Sequence, residues 1–111
     1  MKFLITENKI IDVAKRYLNT KNYKQINVHD RVIYFYQDGN FLADIVLDIN
    51  DKFAEINFQL VDDIKSFFSI DKELVMEIIR SWIEDATGIN YVEVWAPMDY
   101  HRSELYLPNK K

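Results

Sequence analysis

The 111-residue sequence predicts an α+β domain, and three of its features carry that expectation. Two stretches repeat apolar residues at helical spacing. Between them lie runs of β-branched and aromatic residues broken by short polar turns, and one more such run follows the second helical stretch. The expected order is an N-terminal helix, a three-stranded antiparallel meander, a second helix and one further strand. A chain of this length makes one domain over residues 1–111 and buries roughly two-thirds of the surface it exposes when unfolded.

From Thr6 to about Thr20, Ile10, Ile11, Ala14, Tyr17 and Leu18 recur on one side of a helix. Lys9, Asp12, Lys15, Arg16 and Asn19 fill the other. Thr6 suits the N-cap, where its hydroxyl accepts from a free amide of the first turn. Phe3–Ile5 before it reads as a short strand or an apolar lead-in. Lys24–Val28 is a weak strand candidate. The clear sheet signal runs from Arg31 through Val32, Ile33, Tyr34, Phe35 and Tyr36 to Asp38-Gly39-Asn40, residues that tolerate the positive φ of a tight hairpin turn.

The next strand is Phe41–Ile49, and after a turn at Asn50 and Asp51 the third runs from Phe53 to Leu60. Residues 62–68 read as a turn or a single helical turn. Ser69 or Asp71 then caps a helix to about Ala86, with Leu74, Val75, Ile78, Ile79, Trp82, Ile83 and Ala86 along one stripe and Thr87-Gly88 as its stop. Ile89–Trp95 is the last strand. Residues 98–111 are expected to form a partly ordered C-terminal arm, with Tyr100 and Tyr106 joining Tyr91 and Trp95 as a core lid or an interface anchor.

With the hairpin turn at Asp38-Gly39, cross-strand neighbours set the faces of the sheet. Val32, Tyr34 and Tyr36 fall beside Ala43, Ile45 and Leu47 and beside Ala54, Ile56 and Phe58, so this face should be buried. The opposite face gathers Ile33, Phe35, Leu42 and Val46 with Arg31, Asp44, Asp48, Glu55, Asn57 and Gln59. An apolar patch with a polar rim marks a contact surface when exposed. It is otherwise covered by the last strand, the arm or a helix. On this reading a charge at Phe35 or Val46 disrupts association, and one at Tyr34 or Ile45 unfolds the chain.

The composition excludes several classes of function. There is no cysteine, hence no disulfide framework, thiolate metal site or cysteine nucleophile. The 14 basic residues are diluted among 18 acidic ones for a net charge of −4, which argues against a nucleic-acid binder. No segment approaches the roughly 20 apolar residues of a membrane span, and Thr6-Glu7 interrupts the N-terminal apolar stretch too early for a signal core, so a soluble cytoplasmic protein is expected. The two glycines lie in the expected hairpin turn and helix stop and form no phosphate-binding loop. Asp44 and Asp48 stand four apart on one strand, roughly 13 Å along it, too far for a catalytic carboxylate pair. Asp99, His101 and Glu104 match no metal-binding spacing. No catalytic residue, cofactor or metal is expected.

The order helix, meander, helix resembles that of double-stranded-RNA-binding domains. Those open their last helix with lysines that grip phosphate, whereas this one opens Ser69-Ile70-Asp71-Lys72-Glu73. The order and acidity are also similar to the secretion-chaperone type of fold, whose members dimerise around an extended partner. Met1-Lys2-Phe3-Leu4-Ile5-Thr6-Glu7-Asn8 resembles the opening of small uncharacterised proteins of large tailed bacteriophages, with an echo in Phe67-Phe68-Ser69 before the helix bearing Trp82. That resemblance implies a phage accessory protein in the host cytoplasm and brings no catalytic residues. The function expected is a non-enzymatic protein–protein interaction module that binds a host or viral protein or forms a homodimer. The alternatives are a structural or assembly component of a virion and a small acidic chaperone-like dimer.

Overall fold

The computed structural model describes residues 7–97 and 105–108. Helix α1 spans Glu7–Asn19 and buries Ala14 and Leu18, with Ile10, Ile11 and Tyr17 at the margin of the core. Thr6 and Phe3–Ile5 lie outside the described residues. Strands β1 (Lys24–Val28) and β2 (Val32–Tyr36) form a hairpin whose turn is made by His29 and Asp30, at φ of 56° and 55°. The Arg31 amide donates to the Val28 carbonyl at 3.0 Å, and Asn27 Oδ1 accepts from the Asp30 amide at 2.9 Å. That side-chain acceptor supports a turn that has no glycine.

Strands β3 (Ile45–Asp48) and β4 (Phe53–Ile56) follow, joined by a turn in which Asp48 Oδ1 accepts from the Asp51 amide at 3.0 Å. Helix α2 then spans Phe58–Phe68, helix α3 spans Lys72–Thr87, and β5 is Glu93–Trp95. The five strands lie in the order β1-β2-β3-β4-β5, antiparallel throughout except that β5 runs parallel to β4. The α+β class and the helix-then-meander order therefore stand. Among the described residues the meander has four strands and there are three helices.

Two expectations are corrected. The strand expected from Phe53 to Leu60 stops at Ile56, because Asn57 caps a helix: its Oδ1 accepts from the Gln59 amide at 3.0 Å, and Leu60, Val61 and Ile64 become the buried stripe of α2. Ser69, with φ 54°, ends that helix, and Asp71 caps α3 by accepting from the Leu74 amide at 2.9 Å. The second correction concerns Asp38-Gly39-Asn40, which is no tight hairpin. It lies in an irregular connection from 37 to 44, with Gly39 at φ 88°. The register is Ile33 opposite Leu47 and Phe35 opposite Ile45, so β2 shows the face opposite to the expected one.

Ile33 and Phe35, expected on a contact surface, are thus in the core, with exposures of 7% and 0%. Burying them leaves no polar atom unpaired, whereas burying Tyr34 in their place would strand its hydroxyl. The core is one cluster between the sheet and the three helices: Ile33, Phe35, Ile45, Leu47, Ala54 and Ile56 from the strands, met by Leu18, Ile64, Val75, Ile78, Ile79 and Ile83. Ala86, placed in the α3 stripe by its spacing, is exposed. Trp82 ties the layers together. Its ring stands edge-on to Phe35 at 5.4 Å and to Tyr23 at 5.6 Å, and its Nε1 donates to Asn19 Oδ1 at 2.8 Å.

Of the expected C-terminal arm, residues 98–104 and 109–111 lie outside the described residues. Residues 105–108 run beside the 37–44 connection: Leu105 is buried, its carbonyl accepts from the Ala43 amide at 2.7 Å, and Tyr106 bridges to Leu42.

Candidate functional site

Two surfaces emerge from this arrangement. The first is the sheet face turned away from the helices. Registers place Ile26 and Val28 of β1 beside Tyr34 and Val32 of β2, and these beside Val46 and Asp48 of β3. Glu55 and Phe53 of β4, then Trp95 and Glu93 of β5, continue the row. Tyr36 and Glu55 on this face are 8% and 7% exposed, so its open part is the strip of Val32, Tyr34, Val46 and Phe53, extended by Trp95 at 44%. Val32, Tyr34, Val46, Asp48, Phe53 and Glu55 line a shallow groove of about 270 Å³. Phe53 and Trp95 lean together with ring centroids 6.2 Å apart. Chemically the strip offers apolar and aromatic area with carboxylates at one side, which suits a macromolecular contact.

The second surface is a cleft of about 380 Å³ at the end of the sheet on its helix side, walled by Lys21, the 37–44 connection and the first turns of α2. Asp44 is its half-buried acid. The Asp44 amide donates to the Phe35 carbonyl at 2.9 Å, although Phe35 is already paired with Ile45. Two residues therefore oppose one, as in a β-bulge, and the bulge turns the Asp44 side chain to the helix side. There its Oδ2 accepts from the Tyr23 hydroxyl at 2.6 Å. No donor among the described residues reaches Oδ1.

Burial pushes the Asp44 carboxyl above the usual carboxylate range, opposed by the Tyr23 hydrogen bond and the Lys21 charge. The Tyr23 phenol is raised well above its ordinary value, by burial first and by Asp44 second, so it stays a donor. Asp63 sits on the α2 wall, where its Oδ1 accepts from Gln59 Nε2 at 3.2 Å, and Gln37 Nε2 donates to the Lys21 carbonyl at 3.3 Å. Leu42 and Leu60 supply apolar lining, and Phe41 stands at the rim with 84% of its surface exposed.

The nine residues expected on one contact surface are divided by the structure. Val46, Asp48 and Glu55 are on the open face; Ile33 and Phe35 are in the core; Arg31 is exposed beside the β1–β2 turn; Leu42, Asp44 and Asn57 line the cleft. Asp44 and Asp48, expected on one face, point to opposite sides of the sheet. Residues that the sequence reading missed are Val32, Tyr34 and Phe53 on the open face and Lys21, Tyr23, Gln37, Phe41 and Asp63 at the cleft. The phenolic tip of Tyr34 was the available signal, since burying Ile33 and Phe35 in its place strands no hydroxyl.

Among the described residues no three acidic or histidine side chains converge as a metal site, and no helix is long and apolar enough to cross a membrane. Asp99, His101 and Glu104 lie outside the described residues. Comparison with family models, with curated proteins and with solved structures returned no match.

Proposed function

We propose that this chain is a non-catalytic protein-binding module that works through the sheet face turned away from its helices, with a second copy of the chain as the first occupant. One observation carries the reading: among the described residues all three helices pack on one side of the sheet, and Val32, Tyr34, Val46, Phe53 and Trp95 form a contiguous apolar strip on the other. The strip matches a copy of itself in kind, apolar area against apolar area, and a two-fold axis that lays it on the same strip of a second copy removes both from water. The likeness of Met1–Asn8 to phage proteins supports a host or viral protein as a further partner for the same strip.

Light scattering over a range of concentrations tests the proposal, with circular dichroism to follow the fold. The wild type should approach twice the monomer mass, and Tyr34→Glu should be a folded monomer. A wild type that stays monomeric at every concentration rules out the second copy, and a Tyr34→Glu dimer moves the contact off this face.

A further inference from the structure

The cleft around Asp44 is independent of the open face and has chemistry of its own. A volume of about 380 Å³ is within the roughly 300–1,000 Å³ of small-ligand sites. Its half-buried carboxylate is oriented by a phenol that occupies one oxygen and leaves the other without a donor among the described residues. A second carboxylate, Asp63 of α2, lines the same cleft. One cation, Lys21, opposes the two acids, and its ammonium lies 5.2 Å from the centroid of the Tyr17 ring. Among the described lining residues the acids therefore outnumber the cations by one. Its aliphatic lining, Leu42 and Leu60, suits a methylene stem, and Phe41 holds an aromatic face in water at the mouth.

We propose that this cleft is a binding site for a guanidinium or ammonium group, which donates to Asp44 Oδ1 and to Asp63 beneath the ring of Phe41. A guanidinium presents several N–H donors in one plane and sheds its water more readily than an ammonium, so it is the better fit of the two. An anionic ligand would meet two carboxylates, and a wholly apolar one would leave Asp44 desolvated without compensation. The group comes either from a free small cation or from a basic side chain of another protein.

Titration of the isotope-labelled full chain with Nα-acetyl-arginine amide, followed by amide NMR at low salt, tests the site. Nα-acetyl-citrulline amide, of the same shape without the charge, is the control. Saturable shifts are expected at Lys21, Gly39–Asp44 and Asn57–Asp63, with the arginine derivative binding at least about tenfold more tightly than the citrulline one, as for one charge-assisted contact. Asp63→Asn should weaken binding several-fold. Lys21→Gln, which removes the competing cation, should strengthen it several-fold, a gain that misfolding cannot imitate. Agmatine binding much more tightly than the capped arginine supports a free small cation; equal binding supports a basic side chain. Equal affinity for arginine and citrulline derivatives, shifts located elsewhere, or weaker binding by Lys21→Gln would overturn the proposal.

Discussion

The open face and the cleft draw on the same strand, and they differ in every physical respect. Val46 and Asp48 of β3 stand on a flat, apolar surface, while Asp44, just before the strand, reaches the other side of the sheet into a concave polar one. One bulged residue separates them. The flat face gains by excluding water over a wide area, whereas the cleft can gain from a single charge held half-buried and oriented. On the two proposals above, one α+β sheet offers two different kinds of recognition surface.

The sharpest way to break this contrast is at neighbouring residues of β2. Phe35→Ala should destabilise the chain by about 3–5 kcal/mol, since it empties the site under Trp82, whereas Tyr34→Ala should cost about 1 kcal/mol. Urea unfolding of both measures the difference. Similar losses would mean that the open face is covered.

Alkaline and acid titrations probe the cleft alone. The Tyr23 phenol is raised in the folded state, so its contribution is complete below the ordinary value of 10.0 and is lost as pH climbs beyond it. Wild type should therefore lose stability above that pH faster than Tyr23→Phe, by at most about 1.4 kcal/mol per pH unit for one linked proton. Asp44 is a carboxyl raised from 3.8, so the folded chain holds its proton longer than the unfolded one. Stability from this group is greatest below 3.8 and falls as pH rises through the higher folded value. Asp44→Asn should remove that fall, seen as a flatter dependence of the urea midpoint on pH.

The smallest effects lie in the turns that anchor the two surfaces. Asn57→Ala should cost about 1 kcal/mol by uncapping α2 at the cleft. Asp48→Ala, which frees the Asp51 amide to water beside the open face, should cost about 0.5 kcal/mol. Thermal unfolding ranks the two. The reverse order would show that the exposed β3–β4 turn constrains the fold more than the cleft does.

What was legible in the sequence was what local chemistry decides. The Asp71 cap, the Gly88 stop of α3 at φ 77° and the turn after Asp48 all follow from residues within a few positions of one another. The β3–β4 register followed as well, because the short turn and the alternation of Ile45, Leu47, Ala54 and Ile56 agree. The β2–β3 register did not. Asp38-Gly39 has turn chemistry, but a longer connection and the bulge at Asp44 decide the pairing, and a shift of one residue reverses every side chain. That single slip sent Ile33 and Phe35 to the surface, hid Tyr34, and kept Asp44 from being seen beside Tyr23. The helical period of Leu60, Val61 and Ile64 after Asn57 was present in the sequence, yet it was masked by an alternation that ran on past Ile56.

The parallel pairing of β5 with β4 has a consequence for the order of assembly. Strands β1 to β4 meet across short connections, so their loops close at small entropic cost, whereas Ala54 meets Val94 only after the whole of α2 and α3 intervenes. The meander and helix pair can form while the chain is still being extended. Docking of β5 closes the longest loop in the sheet, and until it docks the edge beside Phe53 and Glu55 has no neighbouring strand.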